Sequence, residues 1–336
     1  MNNEPEQSLK IPSGVVSVAS SKMFTYPTRL IDAWEPNIME INLSAYQFKP
    51  FDDIEIRVHQ GSTQSLGIES SNIYKRLYKK FIAPIQIDEE YIYDSRFETD
   101  GNIAHILGCV AVKVLLAQKL CPKITVILKK NPTKMALNAY KILGIPVLCT
   151  DKDVQGKLVL TSDPSDKHYE QFYKDLFGQL SFEGYKPKTP ERIFISRKGS
   201  RCLINENEIE QTLKEYGFEK FYFEDIPISE QWSVTRNAKV VVGMHGAALK
   251  SLVFNTNAVK VVELFHPGYV VDVYRQDTNA VGGTWCGVIG QLPENIIKEL
   301  DFKKNARSFA LSSTKIDITS LRMALENLDI EKTEIG

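Results

Sequence analysis

The 336-residue sequence has little excess charge of either sign. It contains 41 lysines and arginines against 42 aspartates and glutamates, for a formal net charge of -1, and it has no long basic run. Nucleic-acid-binding proteins normally carry a basic excess or a basic stripe on one face. The composition therefore argues against a nucleic-acid partner.

Cysteine is also scarce, and its spacing is irregular. No two cysteines form a CxxC pair, so neither a disulfide framework nor a cysteine-rich metal site is indicated. We expect a reduced, cytoplasmic compartment, no bound metal and no bound cofactor. The five cysteines are Cys109, Cys121, Cys149, Cys202 and Cys286.

The sequence shows neither a targeting segment nor a membrane-spanning one. The opening MNNEPEQSLKIPSG is polar and lacks the apolar core of a signal peptide. The most apolar stretch, IAHILGCVAVKVLLAQKL, contains His105 and Lys113 and falls short of a membrane span. We therefore expect a soluble protein, and peripheral contact with the inner face of a membrane stays open.

Apolar segments alternate with helical patterns, most clearly in the second half. RIFISR, KFYFED, KVVVGMH and AVKVVELF are apolar runs typical of buried parallel strands. The first half repeats this alternation less regularly. The sequence predicts an α/β protein with two domains that meet across a cleft. We assign residues 1–180 to the first domain, 181–315 to the second, and 316–336 to a C-terminal helix and tail.

The stretch VVVGMHGAAL predicts a strand that turns directly into a helix. Such a helix presents its first backbone N–H groups and the positive end of its dipole. Gly246 allows a ligand to approach closely, Ala247 and Ala248 add no bulk, and His245 can donate to a phosphate. The turn is therefore a candidate diphosphate cradle. The alternative is that His245 caps the helix and Gly246 only makes the turn.

A second candidate anion site follows the strand RIFISR. Arg197, Lys198 and Arg201 cluster in the next loop, and Asn205 then begins a helix with Glu208 three residues on. Arginine suits a bidentate grip on phosphate oxygens. The alternative is a solvated basic loop. Because ligands of parallel sheets bind at the carboxyl ends of the strands, both candidate sites belong to one edge, where Asp225 and His266 are also expected.

Two acidic segments supply further candidates. Glu230 and Gln231 lie in the first turn of a predicted helix, where they either serve its N-terminus or contact a ribose or a base. Glu263, near a strand end, can accept from ribose or sugar hydroxyls or pair with an arginine. The dinucleotide fingerprint GxGxxG is absent, which disfavours a nicotinamide-dependent oxidoreductase.

Taken in order, the segments ISR, NE, SEQ, GMHGAAL and VVEL resemble the catalytic region of glycosyltransferase family 61, also called DUF563. The last family motif runs G-x-H-G-A-x-L. The resemblance implies that the matching residues bind the donor, with Ala248 and Glu263 beside them. The matching residues are Arg197, Arg201, Asn205, Glu206, Glu230, Gln231, Gly243, His245, Gly246, Ala247 and Leu249.

The resemblance implies an inverting transferase with two Rossmann-like domains facing a cleft, the GT-B arrangement. The first domain would present a glycan or glycolipid acceptor, and the second would hold a nucleotide-activated sugar, most often UDP-linked. Without a targeting segment, the chain looks like the bacterial members that assemble capsule or lipopolysaccharide. With two arginines beside the turn, a divalent metal is not required, and the oligomeric state stays unassigned.

Upstream, the segment DGNIAHIL matches a family pattern Asn-x-x-His at Asn102 and His105. On this resemblance His105 is the expected catalytic base, and His245 is the alternative base. The structural alternative for His105 is a half-buried histidine of the core. Many members carry aspartate four residues further on, where this chain has Cys109. That departure keeps a second hypothesis open, a non-catalytic module that binds a nucleotide or a sugar phosphate.

Overall fold

The computed structural model describes residues 7–12, 14–28, 36–48, 53–63, 83–162, 166–293, 296–297 and 309–333. The chain divides into two compact units. The first comprises Met1–Val16, Lys49–Phe172 and Leu180–Glu183, and the second comprises Ser17–Phe48, Tyr173–Gln179 and Gly184–Gly336.

The secondary structure is mixed α/β. The strands are β1 (Ser8–Ile11), β2 (Val16–Val18), β3 (Ser21–Thr25), β4 (Met39–Leu43), β5 (Tyr46–Phe48), β6 (Ile54–Ser62), β7 (Ile85–Asp94), β8 (Ile124–Leu128), β9 (Val147–Cys149), β10 (Val154–Thr161), β11 (Arg192–Ser196), β12 (Glu219–Tyr222), β13 (Val240–Met244), β14 (Lys260–Phe265) and β15 (Thr284–Ile289). The α-helices are α1 (Ile103–His105), α2 (Val112–Ala117), α3 (Lys134–Ile142), α4 (Tyr173–Leu176), α5 (Glu206–Lys214), α6 (Ile228–Asn237), α7 (Val273–Ala280) and α8 (Ile318–Asn327). A π-helical segment spans Ile106–Ala111, and 3₁₀ segments span Asp166–Phe172, Phe223–Asp225 and Ala247–Phe254.

The first unit is built on a six-stranded sheet in the order β1-β6-β10-β7-β8-β9. Strands β10, β7, β8 and β9 are parallel, while β6 pairs antiparallel with β10 and with β1. Strand β8 is buried along its whole length, as its sequence ITVIL predicts for a strand covered on both faces. The sheet is therefore mixed, with its parallel part on one side.

The long apolar segment near residue 110 forms an irregular helix. It starts at α1 with Asn102 as its N-cap, and its middle turns are π-helical before α2 completes it. All six residues of the π segment are buried, so its apolar composition is explained by packing. In the described part of the chain, no helix has both the length and the hydropathy needed to cross a bilayer.

The second unit is built on a seven-stranded sheet in the order β12-β11-β13-β14-β15-β3-β4. All neighbouring strands are parallel except β3 and β4. The central strands β13 and β14 are buried except at Lys260, as their runs of Val, Leu and Phe predict for strands covered on both faces. This is the sheet that positions the predicted donor motifs.

Two segments belong to the second unit although they lie outside its predicted bounds, residues 181–315. Strand β3 pairs in parallel with β15 and extends the second sheet. Helix α8 buries Leu321, Ala324 and Leu325 in the core of the same unit, and Arg322 pairs with Glu215 at 3.1 Å. Long-range pairing of this kind leaves no local signature in the sequence, whereas α8 itself follows from its amphipathic pattern.

Candidate functional site

The candidate site lies at one edge of the second sheet. Strands β11, β13 and β14 are adjacent and parallel, so their carboxyl ends lie side by side. Arg197, His245 and His266 each follow directly after one of these strands. Asp225, expected at the same edge, follows β12 and is paired with Lys198 at 2.5 Å.

The centre of the site is a buried pair between His245 and Glu263. The Nδ1 atom of His245 lies 2.5 Å from Oε1 of Glu263, and both side chains are buried. The second carboxylate oxygen accepts from the indole nitrogen of Trp285 at 2.8 Å. Burial raises the pKa of the Glu263 carboxyl, while the hydrogen bonds from His245 and Trp285 oppose that rise.

Aromatic rings enclose the His245 imidazole. Phe265 stacks on it with ring centroids 5.3 Å apart, and the rings of Tyr269 and Tyr274 each lie 5.2 Å away. The backbone N–H of His245 donates to the carbonyl of Leu264 at 2.8 Å. With Nδ1 committed to the carboxylate and the ring packed on its faces, Nε2 is the atom left for a ligand or a proton.

Arg197 lies across the turn that follows His245. Its Nη1 donates to the carbonyl oxygen of His245 at 2.7 Å, and its Nη2 lies 3.5 Å from the Ser200 hydroxyl. A Cβ atom at Gly246 would come within 2.3 Å of that Nη1. Gly246 is therefore the residue that lets the guanidinium group rest against the turn.

Arg201 brings a second guanidinium group to the same loop. Its Nε and Nη1 atoms are buried without a hydrogen-bond partner, and its guanidinium carbon lies 5.1 Å from the centre of the Tyr269 ring. Burial, followed by the positive charge of Arg197, lowers the pKa of Arg201. In the described part of the chain neither arginine forms an ion pair with a carboxylate. Two cations are thus held in one loop, and no carboxylate among the described residues neutralises them.

The helix predicted after the turn is a 3₁₀ segment. It begins after Gly246, no side chain caps its start, and Leu249 donates from its backbone to the carbonyl of Gly246 at 2.9 Å. Leu249 is fully buried, and a Cβ atom at Gly243 would lie 2.7 Å from its Cδ2. Packing thus explains the glycines and the leucine of the motif. Ala247 and Ala248 are half-buried at the start of the 3₁₀ segment.

His266 completes the edge as a neutral imidazole. Its Nδ1 accepts from the backbone N–H of Gly268 at 3.0 Å. The Ser312 hydroxyl donates to the carbonyl of Phe309, so His266 Nε2, 3.0 Å away, is the donor to Ser312. Burial, and then the charge of Arg201, lower the pKa of His266, which agrees with the neutral form.

The remaining donor candidates are engaged within the protein. Asn205 bonds Ile316 through both atoms of its amide, which ties the start of α5 to the strand-like segment before α8. Glu206 accepts from Tyr222 at 2.7 Å and from Ser196, and Gln231 donates to two backbone carbonyls.

Glu230, by contrast, forms a partly exposed ion pair with Lys186 at 2.7 Å. Glu263 does not pair with an arginine, and it is not exposed at the edge of the sheet. Its carboxylate is fully buried behind His245. Contacts between these residues and a donor stay predictions.

In the first unit, the predicted base His105 is exposed, so it is not a half-buried core histidine. Its Nδ1 lies 3.5 Å from the Sγ atom of Cys109, which is buried. Asn102 accepts from the backbone N–H of Ala104 at 2.9 Å and so caps the helix. The helical spacing that the sequence suggested for His105 and Cys109 is therefore present.

Comparison with known proteins adds an independent finding. The model of the family Glycosyltransferase 61 matches residues 153–262, a range that contains Arg197, Arg201 and the His245 turn. The EGF domain-specific O-linked N-acetylglucosamine transferase of Drosophila melanogaster is 34% identical over 103 residues. Both matches are to glycosyltransferases, and the family model is that of family 61. The aligned segment covers 29% of this chain and only 20% of that relative.

Two solved structures are also similar. They are the iron-containing dodecameric glycosyltransferase TibC from enterotoxigenic E. coli H10407 and the heptosyltransferase TibC in complex with ADP-D-beta-D-heptose. Each is 12% identical, covers 78% of this chain and 76% of its own, and gives a TM-score of 0.33. Similarity at this level carries no argument about this chain.

Several residues of the site were not predicted from the sequence. Tyr269, Tyr274 and Ser312 lie in loops or helices that carry no motif. Trp285 is linked to Glu263 through the register of the sheet, which is only a weak signal in the sequence. Strand β15 pairs Trp285 with Val261, two residues before Glu263 on β14. Residues two apart on a strand share a face, so that register brings the indole beside the carboxylate.

We predict that Glu263→Gln lowers the free energy of unfolding by about 1–3 kcal/mol. A glutamine has only one acceptor oxygen for the two buried donors of His245 and Trp285, so one donor faces an amide N–H. Urea unfolding measures the loss. Glu219→Gln, at an exposed position in β12, is the control and should change stability by less than about 0.5 kcal/mol. An unchanged unfolding free energy in Glu263→Gln would contradict the buried pair.

Proposed function

We propose that this protein transfers a sugar from a nucleotide-activated donor, UDP-linked, to a glycan acceptor with inversion at the anomeric carbon. The observation that carries the proposal is the pair of arginines beside the His245 turn, Arg197 and Arg201, which no described carboxylate neutralises. A diphosphate supplies the missing negative charge and planar oxygen pairs that match guanidinium groups.

The two arginines also contribute to the reaction, besides binding the donor. Negative charge builds up on the diphosphate as the glycosidic bond breaks, and donors already held in place stabilise that charge. Two nitrogens of Arg201 are already buried and have no hydrogen-bond partner. They therefore lose no further hydration when negative charge develops on the leaving group. With two guanidinium groups in this role, we expect transfer that does not require a divalent metal.

The start of the 3₁₀ segment adds backbone donors to the site. No side chain caps it, and Gly246 has no side chain to obstruct an incoming phosphate. Backbone N–H groups at a helix start favour anions through hydrogen bonds and through the peptide dipoles. This arrangement supports the diphosphate cradle over a simple helix cap, and it assigns His245 a contact with the phosphates through Nε2.

The catalytic base is proposed on separate grounds. On the family resemblance it is His105, which is exposed and therefore accessible to an acceptor hydroxyl. His245 is the second candidate, because a buried carboxylate orients its ring in the way that general bases are commonly oriented. The GT-B arrangement, with two Rossmann-like domains and the acceptor held by the first, belongs to this proposal.

The biological setting is proposed as well. We infer a cytoplasmic enzyme, with peripheral contact to the inner face of the membrane, that acts on capsule or lipopolysaccharide precursors. The name of the Drosophila relative makes UDP-N-acetylglucosamine the first donor to test. A non-catalytic nucleotide-binding module is the competing function, and Cys109 in place of the family's aspartate is the observation that favours it.

Two measurements on the full chain separate these functions. Calorimetric titration with UDP reports binding, and a hydrolysis and transfer assay over a panel of UDP-sugars reports turnover. Binding together with turnover of at least one donor supports the enzyme. Binding without turnover of any donor in the panel supports the module instead.

We predict that Arg197→Ala and Arg201→Ala each weaken UDP binding about ten- to a hundredfold, because each removes a charge-assisted hydrogen bond. Lys198→Ala is the matched control: this lysine lies in the same loop, but Asp225 already pairs with its charge. Calorimetry measures the affinity, and circular dichroism checks the fold. Equal affinities for all four proteins would remove the proposed cradle.

We predict that His105→Ala lowers turnover by about 10²- to 10⁴-fold, the usual contribution of a general base, while UDP affinity stays unchanged. His59→Ala, at an exposed position in β6, is the control and should keep full turnover. If His105→Ala keeps its turnover while His245→Ala loses it, the base is His245.

A further inference from the structure

Three side chains that commonly bind metal ions lie together in the first unit, and the sugar-transfer proposal does not use them as a group. They are Glu98, His105 and Cys109. One potential ligand atom of each, a carboxylate oxygen, an imidazole nitrogen and the thiol sulfur, lies within 4.8 Å of the other two. No metal was expected from the sequence, because no two cysteines form a CxxC pair.

The distances suit a small transition metal ion. The Nδ1 atom of His105 and the Sγ atom of Cys109 are 3.5 Å apart. In a tetrahedral zinc site, bonds of about 2.3 Å to sulfur and about 2.0 Å to nitrogen put these two ligand atoms about 3.5 Å apart. Two ligands therefore already have the required separation, and a carboxylate oxygen of Glu98 lies within 4.8 Å of both.

The fold holds these two ligands on one helix. Residues four apart on an α-helix share a face, and His105 and Cys109 have that spacing. Cys109 lies in the π-helical segment, a type of widened turn that is frequent at functional sites. Asn102 caps the start of the helix, and the burial of the whole π segment fixes the position of the thiol.

The loop that carries Glu98 is also anchored. Asp94 binds the Arg96 guanidinium through both carboxylate oxygens, at 2.9 and 2.6 Å, and Arg96 donates to the carbonyl of Lys152 at 2.7 Å. The Ser95 hydroxyl donates to the carbonyl of Ile127 at 2.9 Å. These contacts anchor the start of the loop two to four residues before Glu98.

We propose that Glu98, His105 and Cys109 form a site for Zn²⁺, with a water molecule as the fourth ligand. One thiolate, one imidazole and one carboxylate are ligands that zinc accepts together, and three protein ligands with one open position are typical of non-structural zinc sites. Cys109 is decisive, since a thiolate favours zinc over magnesium or calcium. Binding releases the thiol proton.

This site constrains the role of His105. Coordination through Nδ1 leaves the imidazole proton on Nε2, so a zinc-loaded His105 cannot accept a proton from an acceptor hydroxyl. A zinc-loaded protein would therefore use the second candidate base, His245, whereas the metal-free protein uses His105. The site itself is tested by metal binding alone, so the test does not depend on sugar transfer.

The test is a titration of the purified, metal-free full chain with Co²⁺, followed by displacement with Zn²⁺. We expect one equivalent of Co²⁺ to bind and to produce a thiolate-to-cobalt charge-transfer absorption that Zn²⁺ removes. Cys109→Ser should abolish that absorption. Glu98→Gln and His105→Gln should each weaken Co²⁺ binding at least about tenfold, since even groups outside the ligand set contribute that much.

Matched controls come from the same unit. Cys149→Ser replaces a partly exposed cysteine in β9, and His59→Gln replaces an exposed histidine in β6; both should keep the absorption and the affinity. Circular dichroism and UDP titration report the fold of every variant. Absence of the absorption in the unaltered protein, its survival in Cys109→Ser, or its loss in Cys149→Ser would overturn the site. Where Cys109→Ser does not fold, unchanged affinity in both Glu98→Gln and His105→Gln would overturn it.

Discussion

The candidate donor site depends on one buried carboxylate. Glu263 joins three neighbouring parts of the second sheet, because it lies on β14, binds the His245 imidazole after β13, and accepts from Trp285 on β15. A fully buried carboxylate is costly unless every oxygen is satisfied, and here both are. This pair holds the turn after β13 in place, and on that turn the Arg197 guanidinium rests against the His245 carbonyl.

Much of this arrangement could be predicted from the sequence. Uninterrupted apolar runs identified the buried parallel strands β11, β13 and β14, and the geometry of a parallel sheet then brought Arg197, His245 and His266 to one edge. The family motif identified the glycines of the turn. The structure explains why these positions are glycine: Gly243 leaves space for the buried Leu249 side chain, and Gly246 leaves space for the Arg197 guanidinium group.

Other features depend on contacts between distant parts of the chain, which no local pattern encodes. Strand β3 pairs with β15 across more than two hundred residues, so its membership of the second sheet could not be read from its own composition. Glu263 was expected either to accept from ribose or sugar hydroxyls or to pair with an arginine, whereas its hydrogen bond from Trp285 depends on the register between β14 and β15. The cluster at Cys109 escaped notice because Glu98 reaches it from a loop, outside any helical spacing.

The central claim is that Arg197 and Arg201 are held unneutralised so that a diphosphate can bind between them. A crystal structure of the full chain with UDP tests it most directly. The account predicts diphosphate oxygens about 2.7–3.2 Å from both guanidinium groups and from a backbone N–H at the start of the 3₁₀ segment. A diphosphate bound elsewhere, with both guanidinium groups unoccupied, would contradict it.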